Sequence, residues 1–186
     1  MMTTKVILLC GPPGSGKDES AKLLVQSLQN ACHKEMKLAL HACVMQHFNI
    51  IPEVWQQLCT REHKETPQAC LGGLSPRQAQ IFVSEQLIKP TYGADYFALR
   101  ALENFEQGKI NVVSDSGFQA EADVMCSHYG AENVLIVRLS RNGTSFANDS
   151  RGYIYDSRCP SIDIANDAST DELCLVLLAA VLNFLN

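Results

Sequence analysis

Apolar positions along the chain change period several times, and each change marks an element. Lys5 to Cys10 is apolar without alternation and stops at a glycine, the pattern of a strand buried on both faces. Beyond the glycine-rich stretch that follows, Ala21, Leu24, Val25 and Leu28 fall at i, i+3, i+4 and i+7, one face of a helix. MKLALHACVMQHFNI fits either a strand leading into a helix or one amphipathic helix and is read as helix over most of its length, and PEVWQQL reads as a short helix with Pro52 in its first turn. Thr60 to Gly73 is polar and contains Pro and Gly, so it reads as a surface loop. Ser75 and Pro76 then open a helix that QAQIFVSEQLI continues and that Pro90 and Gly93 end.

Phe97 to Phe105 predicts a further helix, Gly108 its exit, and INVVS the next strand. A short helix over Ala120 to His128 leads to the buried strand NVLIVRL. The stretch SRNGTSFANDSRGYIYDSRCP is rich in turn formers and Arg, the composition of a mobile covering loop or lid at about 140–160. SIDIAN is a last short strand, and Ser169 with Glu172 forms a capping-box pair for the closing helix. Strands alternating with helices predict an α/β fold of three layers, a parallel sheet flanked by helices, in a single domain over 1–186.

Composition narrows this picture in three places. With 186 residues, 46% of them hydrophobic and 19% charged, the chain can bury one sizeable core. A formal net charge of −5 argues against a generally basic, nucleic-acid-coating surface, while leaving room for a local Arg-lined groove. The eight cysteines are scattered without C-x-x-C or Cys/His zinc spacing, and are read as reduced core thiols in a cytoplasmic protein. The apolar run at Val6 to Cys10 is too short for a signal-peptide core. Leu173 to Leu185 is too short to span a bilayer and is interrupted by Asn183, so no membrane association is expected. That closing helix is read as buried, with a homodimer interface as the alternative.

The candidate chemistry starts at Gly11-Pro12-Pro13-Gly14-Ser15-Gly16-Lys17, which fits G-x-x-x-x-G-K. Glycines there let backbone N–H groups turn inward around phosphate oxygens, and the next helix adds its positive end. Lys17 is expected to stand exposed toward the outer phosphates of ATP. Asp18 occupies the position where a Ser or Thr hydroxyl usually ligates Mg²⁺, and it reads either as a metal-linked acid or as a first-turn acid favoured by the helix dipole. Asp115 lies at the carboxyl end of INVVS, where open parallel sheets bind ligands, so it is a candidate metal ligand or general base. Arg138, Arg141, Arg151 and Arg158 cluster around the covering loop, and guanidinium forks suit a transferring phosphoryl group. Lys37, Lys64 and Arg77, together with Phe118 and Arg138, are candidates for the acceptor side.

Taken in order, the loop with its G-K-D ending, MKLALHACVMQHFNI, GGLSPRQA, IKPTYGADYF, VVSDSGFQAE and IANDASTDEL resemble the bacteriophage deoxynucleoside monophosphate kinase-like P-loop proteins along nearly the whole chain. The resemblance implies an adenylate-kinase-like fold with a small lid, ATP and Mg²⁺ as donor, and transfer of the γ-phosphoryl group to an acceptor of DNA metabolism in the host cytoplasm. By motif position it puts the phosphate cradle on Gly11 to Asp18, the strand-end acid on Asp115 and the lid arginines on Arg141 and Arg151. Asp after the loop lysine is usual in that family. One departure stands out: the monophosphate kinases commonly carry D-x-R-F where this chain has Asp115-Ser116-Gly117-Phe118. In this respect the chain resembles a related branch whose kinases phosphorylate the hydroxymethyl group of 5-hydroxymethyluracil in phage DNA.

The expected function is therefore an ATP-dependent phosphotransferase acting on that base hydroxyl. A deoxynucleoside monophosphate kinase is the first alternative and a non-catalytic nucleotide-binding regulator the second. The regulator lacks sequence support, because neither an N-K-x-D motif nor a D-x-x-G after the second candidate strand is present.

Overall fold

The computed structural model describes residues 3–147 and 149–186. Five strands form one parallel sheet in the order β2-β3-β1-β4-β5: β1 Lys5–Cys10, β2 Ala31–Lys34, β3 Ile110–Ser116, β4 Val134–Ser140 and β5 Ser161–Ala165. The strand that feeds the glycine loop is thus central, between β3 and β4. Helices cover both faces, which is why β1 is apolar throughout rather than alternating. On one side α1 (Lys17–Ser27) and α8 (Thr170–Leu185) pack together. Ile7, Leu9, Leu24, Val112, Val137 and Leu177 interlock in the core beneath them. Truncating a residue such as Leu24 or Leu177 in that layer costs about 2–5 kcal/mol. On the other side α7 (Gln119–Tyr129) lies on β1 and β4.

The chain divides into two compact units, residues 1–36 with 102–186, and residues 37–101. The larger unit is the three-layer P-loop architecture. The smaller one is helical: α2 Leu38–Phe48, α3 Pro52–Leu58, α4 Pro76–Phe82, α5 Lys89–Tyr92 and the start of α6, Tyr96–Leu102. Its own core is Val44, Trp55, Leu58, Leu71, Ala79 and Val83. Ser75 caps α4, accepting from Gln78 N while Gln78 Oε1 accepts from Ser75 N.

Three expectations are corrected. Pro90 does not end the helix begun at Pro76: a π-turn over Val83–Ile88 absorbs the mismatch, Pro90 then sits in the first turn of α5, and the stop comes at Gly93 with φ +100°. The strand β2, reading Ala-Cys-His-Lys, went unpredicted, because a four-residue edge strand carries too little apolar pattern to register. Finally, Cys126 on α7 and Cys159 at the end of the covering loop are bonded as a disulfide, whereas the other six cysteines are free. The fold brings those two together from 33 residues apart, so no spacing rule could reveal them.

Candidate active site

Each part of the phosphate loop is set by a contact that its sequence permits. Gly14 and Gly16 adopt φ +85° and +97°, which a side chain would strain. Gly11 has to be glycine for space, since a Cβ there would overlap the carbonyl oxygen of Leu139. Gly16 is covered by the amide of Asn166, whose Nδ2 donates to Ser15 O at 2.9 Å while its backbone N–H bonds Ser140 O at 2.8 Å. Asn166 therefore ties the loop to the end of β5. It belongs to the IANDAS stretch, but nothing in the pattern marks it as a loop contact.

Lys17 is buried, contrary to the expectation that it stands exposed. Its Nζ folds back over the loop and donates to Gly11 O at 2.6 Å and Pro12 O at 2.8 Å. Burial, followed by the positive field of Arg151, lowers its pKa from 10.5 to about 8. Phosphate oxygens would supply the countercharge that the loop carbonyls only approximate. Pro12 is buried with Lys17, while Pro13 and Gly14 lie at the exposed crest, and Asp18 is exposed in the first turn of α1.

Asp115 owes its placement to an irregularity. The β1–β3 register runs Leu8 to Val113 and then Cys10 to Ser116, so Ser114 and Asp115 together oppose the single residue Leu9. A bulge of this kind at a strand end re-aims a side chain. The Asp115 carboxylate is largely buried and accepts from Met36 N at 2.8 Å. The adjacent Ser114 Oγ meets His33 Nε2 at 2.8 Å.

The turn after Asp115 contains the residue that sequence reasoning missed. Glu121, buried in the first turn of α7, accepts through one oxygen from Gly117 N at 2.8 Å and Phe118 N at 3.1 Å. Burial is the main reason its pKa rises from 4.5 to about 7; Asp115 adds to the rise, and the two N–H donors and Arg151 oppose it. Its sequence signal was an acid three residues after the helix start, a common capping position that does not by itself mark a site.

Gly117 is the platform for the covering loop. Gly152 N donates to Gly117 O at 2.9 Å, and the stem of Arg151 lies where a Gly117 side chain would be: a Cβ there would sit 2.5, 2.8 and 3.0 Å from Cβ, Cγ and Cδ of Arg151. An arginine at 117 is thus excluded by an arginine arriving from the loop. The Arg151 guanidinium is held by Asp149, Nε to Oδ1 at 3.0 Å and Nη2 to Oδ2 at 2.7 Å.

The other candidates separate. Arg138 is committed to the sheet: it forks onto Asp163 at 2.6 and 2.9 Å, donates to Ile154 O and Ser161 Oγ at 3.2 Å, and lies 4.7 Å from the Tyr155 ring centroid. Arg141 is exposed on the turn after β4, and Phe118 is half-buried at the start of α7. Arg158 pairs with Asp156 and Asp123. Lys37, Lys64 and Arg77 belong to the smaller unit, where Arg77 N donates to Lys64 O at 3.1 Å and Arg77 Nε pairs with Glu65 at 2.8 Å. Asn148, within the covering loop, lies outside the described residues.

Comparison with known proteins adds little to this geometry. No family model matches the chain, and no curated protein sequence does. Similar solved structures include an unliganded sugar kinase from Janibacter sp. HTCC2649, 12% identical over 97% of this chain and 95% of the other, with a TM-score of 0.48. Another is thymidylate kinase from Candida albicans, 11% identical over 97% and 92%, with a TM-score of 0.41. Scores below 0.5 leave the assignment to the chain's own loop, sheet order and site. Among the described residues no helix is long and apolar enough to cross a membrane.

Proposed function

We propose that the protein is an ATP-dependent phosphotransferase whose acceptor is the 5-hydroxymethyl group of 5-hydroxymethyluracil in DNA. The observation that carries the kinase reading is the convergence on one sheet end of a glycine cradle, its buried lysine and a strand-end carboxylate, with an arginine delivered from a separate loop. In-line transfer needs positioning and charge stabilisation more than covalent chemistry, and these groups supply both.

The donor set suits Mg²⁺-ATP: Asp18 and Asp115 offer hard oxygen ligands, and the loop amides with Lys17 offer a phosphate cradle. Mg²⁺, when bound, neutralises phosphate oxygens. Lys17 would leave Gly11 O and Pro12 O to contact the outer phosphates, and Arg151 would stabilise charge developing on the γ-phosphoryl group. Asp115 would orient the acceptor hydroxyl and take its proton. Arg141, exposed on the turn that begins the loop, is proposed as a second lid cation.

For the acceptor, the Gly117–Arg151 packing supports the base hydroxyl. A monophosphate brings about two negative charges beside those of ATP. The place where an arginine would hold them is filled here by the stem of Arg151, with its guanidinium neutralised by Asp149. The monophosphate kinase stands as the second reading, favoured if Arg151 exchanges Asp149 for an acceptor phosphate. γ-Labelled ATP offered with hydroxymethyluracil DNA, thymine DNA and each deoxynucleoside monophosphate separates the two. Label in hydroxymethyluracil DNA alone supports the proposal. Rapid conversion of an ordinary monophosphate to its diphosphate, with the DNA unlabelled, overturns it.

A further inference from the structure

Several contacts fasten the covering loop to the rest of the larger unit, Tyr153 Oη to Leu139 O at 3.2 Å and Ile136 N to Pro160 O at 3.0 Å among them, and three more stand along its length. Near the site, Arg151 and Gly152 rest on Gly117; further along, Ile154 O and Tyr155 are held by Arg138. The third fastening is to α7, and it is built from a stripe. Gln119, Asp123 and Cys126 stand at i, i+4 and i+7, so they share one helix face. Gln119 Nε2 donates to Asp156 Oδ2 at 3.2 Å, Asp123 pairs with Arg158, and Cys126 bonds Cys159. The Asp123–Arg158 pair is half-exposed, where ion pairs contribute little, and Gln119 is exposed although the Asp156 side chain it meets is covered. The sulfur link is buried, with both cysteines under a tenth exposed, and is the one fastening that chemistry can make and break.

We propose that Cys126 and Cys159 form a thiol–disulfide exchange site that a low-molecular-weight disulfide closes and a small thiol opens, its state setting how firmly residues 150–159 are held on α7. In closure one cysteine thiolate attacks the small disulfide and releases the first small thiolate. The second cysteine thiolate then attacks the protein sulfur of the mixed disulfide and releases the other. Two protein thiols are oxidised, one small disulfide is reduced to two thiols, and the two protons lost by the cysteines are taken up by the released thiolates. Asp156, whose carboxylate lies within 4.8 Å of both sulfurs, is already engaged by Gln119 and Arg158 and serves to hold the loop rather than to carry protons. The free thiols Cys43, Cys59 and the exposed Cys70 lie in the smaller unit, and Cys10, Cys32 and Cys174 on other elements of the larger one, so among the described residues no other cysteine stands on α7 beside the 126–159 pair.

The test uses the full chain and needs no knowledge of the acceptor. Protein treated with oxidised or reduced glutathione is alkylated, digested and weighed, and amide exchange over 150–159 is followed in both states. The expected result is a 126–159 cross-linked peptide about 2 Da lighter than its two parts, formed on oxidation and absent after reduction. Exchange over 150–159 should slow on the order of tenfold in the oxidised state. Cys126→Ala and Cys159→Ala, each checked for an unchanged exchange pattern over β1 and β3, should abolish the difference between states. Alkylation of both thiols after oxidation, or identical exchange in the two states, overturns the proposal. So does stoichiometric zinc retained by the reduced protein and lost in Cys126→Ala, which would make the pair with Asp156 a metal site.

Discussion

Gly117→Ala tests the seating of the covering loop with a single added carbon. Carbon atoms pack at about 3.5–4.0 Å, whereas the new Cβ would lie 2.5 Å from Arg151 Cβ and 2.8 Å from Cγ. The two segments must therefore separate by roughly 1 Å. Arg151 Cβ is one bond from the backbone, so no rotamer change relieves the overlap; the segment itself has to move. The Gly152 N to Gly117 O bond, 2.9 Å long, is two atoms away and would be lost with it. Overpacking of this kind costs about 1–3 kcal/mol, and one neutral hydrogen bond about 1 kcal/mol. If the loop lifts off entirely, the loss is capped at whatever its docking contributes. A fall of melting temperature by several degrees follows, at about 2–4 °C per kcal/mol for a chain of this size. The KM for ATP should rise as well, because Arg151 is displaced from Lys17. Arg151→Gly removes the clashing Cβ, so the double variant should lose much less stability than the two single losses added together. Unchanged melting and KM in Gly117→Ala, or additive losses in the double variant, would refute the packing argument.

Lys17→Met keeps the buried stem and should lower phosphoryl transfer on the order of a hundredfold or more with a small change in melting, whereas near-normal turnover would sink the phosphate-loop reading. Arg151→Ala should raise the Lys17 pKa from about 8 without restoring it to 10.5, because burial is the larger cause; the pH dependence of amine labelling at Lys17 measures this. Glu121 is an acid raised from 4.5 to about 7, so the stability it contributes is full below pH 4.5 and is lost as pH rises toward 7, an effect of up to roughly 3 kcal/mol. Glu121→Gln should flatten that slope in urea melts between pH 4.5 and 7; parallel slopes in the two proteins would show that the carboxyl is not desolvated.

Wherever a pattern repeats or a residue type has one strong conformational use, the sequence was enough. β1, α1 and α8 followed from their apolar pattern, the helix start at Ser75 from the proline after it, the cap at Ser169 from Glu172 three residues on, and the loop from its glycines. Residues whose meaning depends on a distant neighbour were illegible. Glu121 reads as an ordinary first-turn acid until Gly117 and Phe118 point their N–H groups at it. Asn166 reads as a turn former until Ser15 O is found above it, and Cys126 as core until Cys159 arrives. Arg138 and Arg151 looked alike in the chain. The difference lies in which carboxylate each meets: Asp163 from the neighbouring strand for one, Asp149 from its own loop for the other.

The bulge at Ser114 and Asp115 also has a consequence for which insertions and deletions the chain can tolerate. Because two residues of β3 oppose Leu9 alone, removing Ser114 would heal the ladder rather than break it, giving an unbroken register from Lys5 through Cys10. A sheet so repaired would suit folding at least as well. Yet the bulge is what aims Asp115, and in an unbroken ladder its carboxylate would lose that aim and with it the bond from Met36 N. Single-residue length changes at this point thus separate what the sheet prefers from what the site requires, and the extra residue stays only where selection acts on the chemistry.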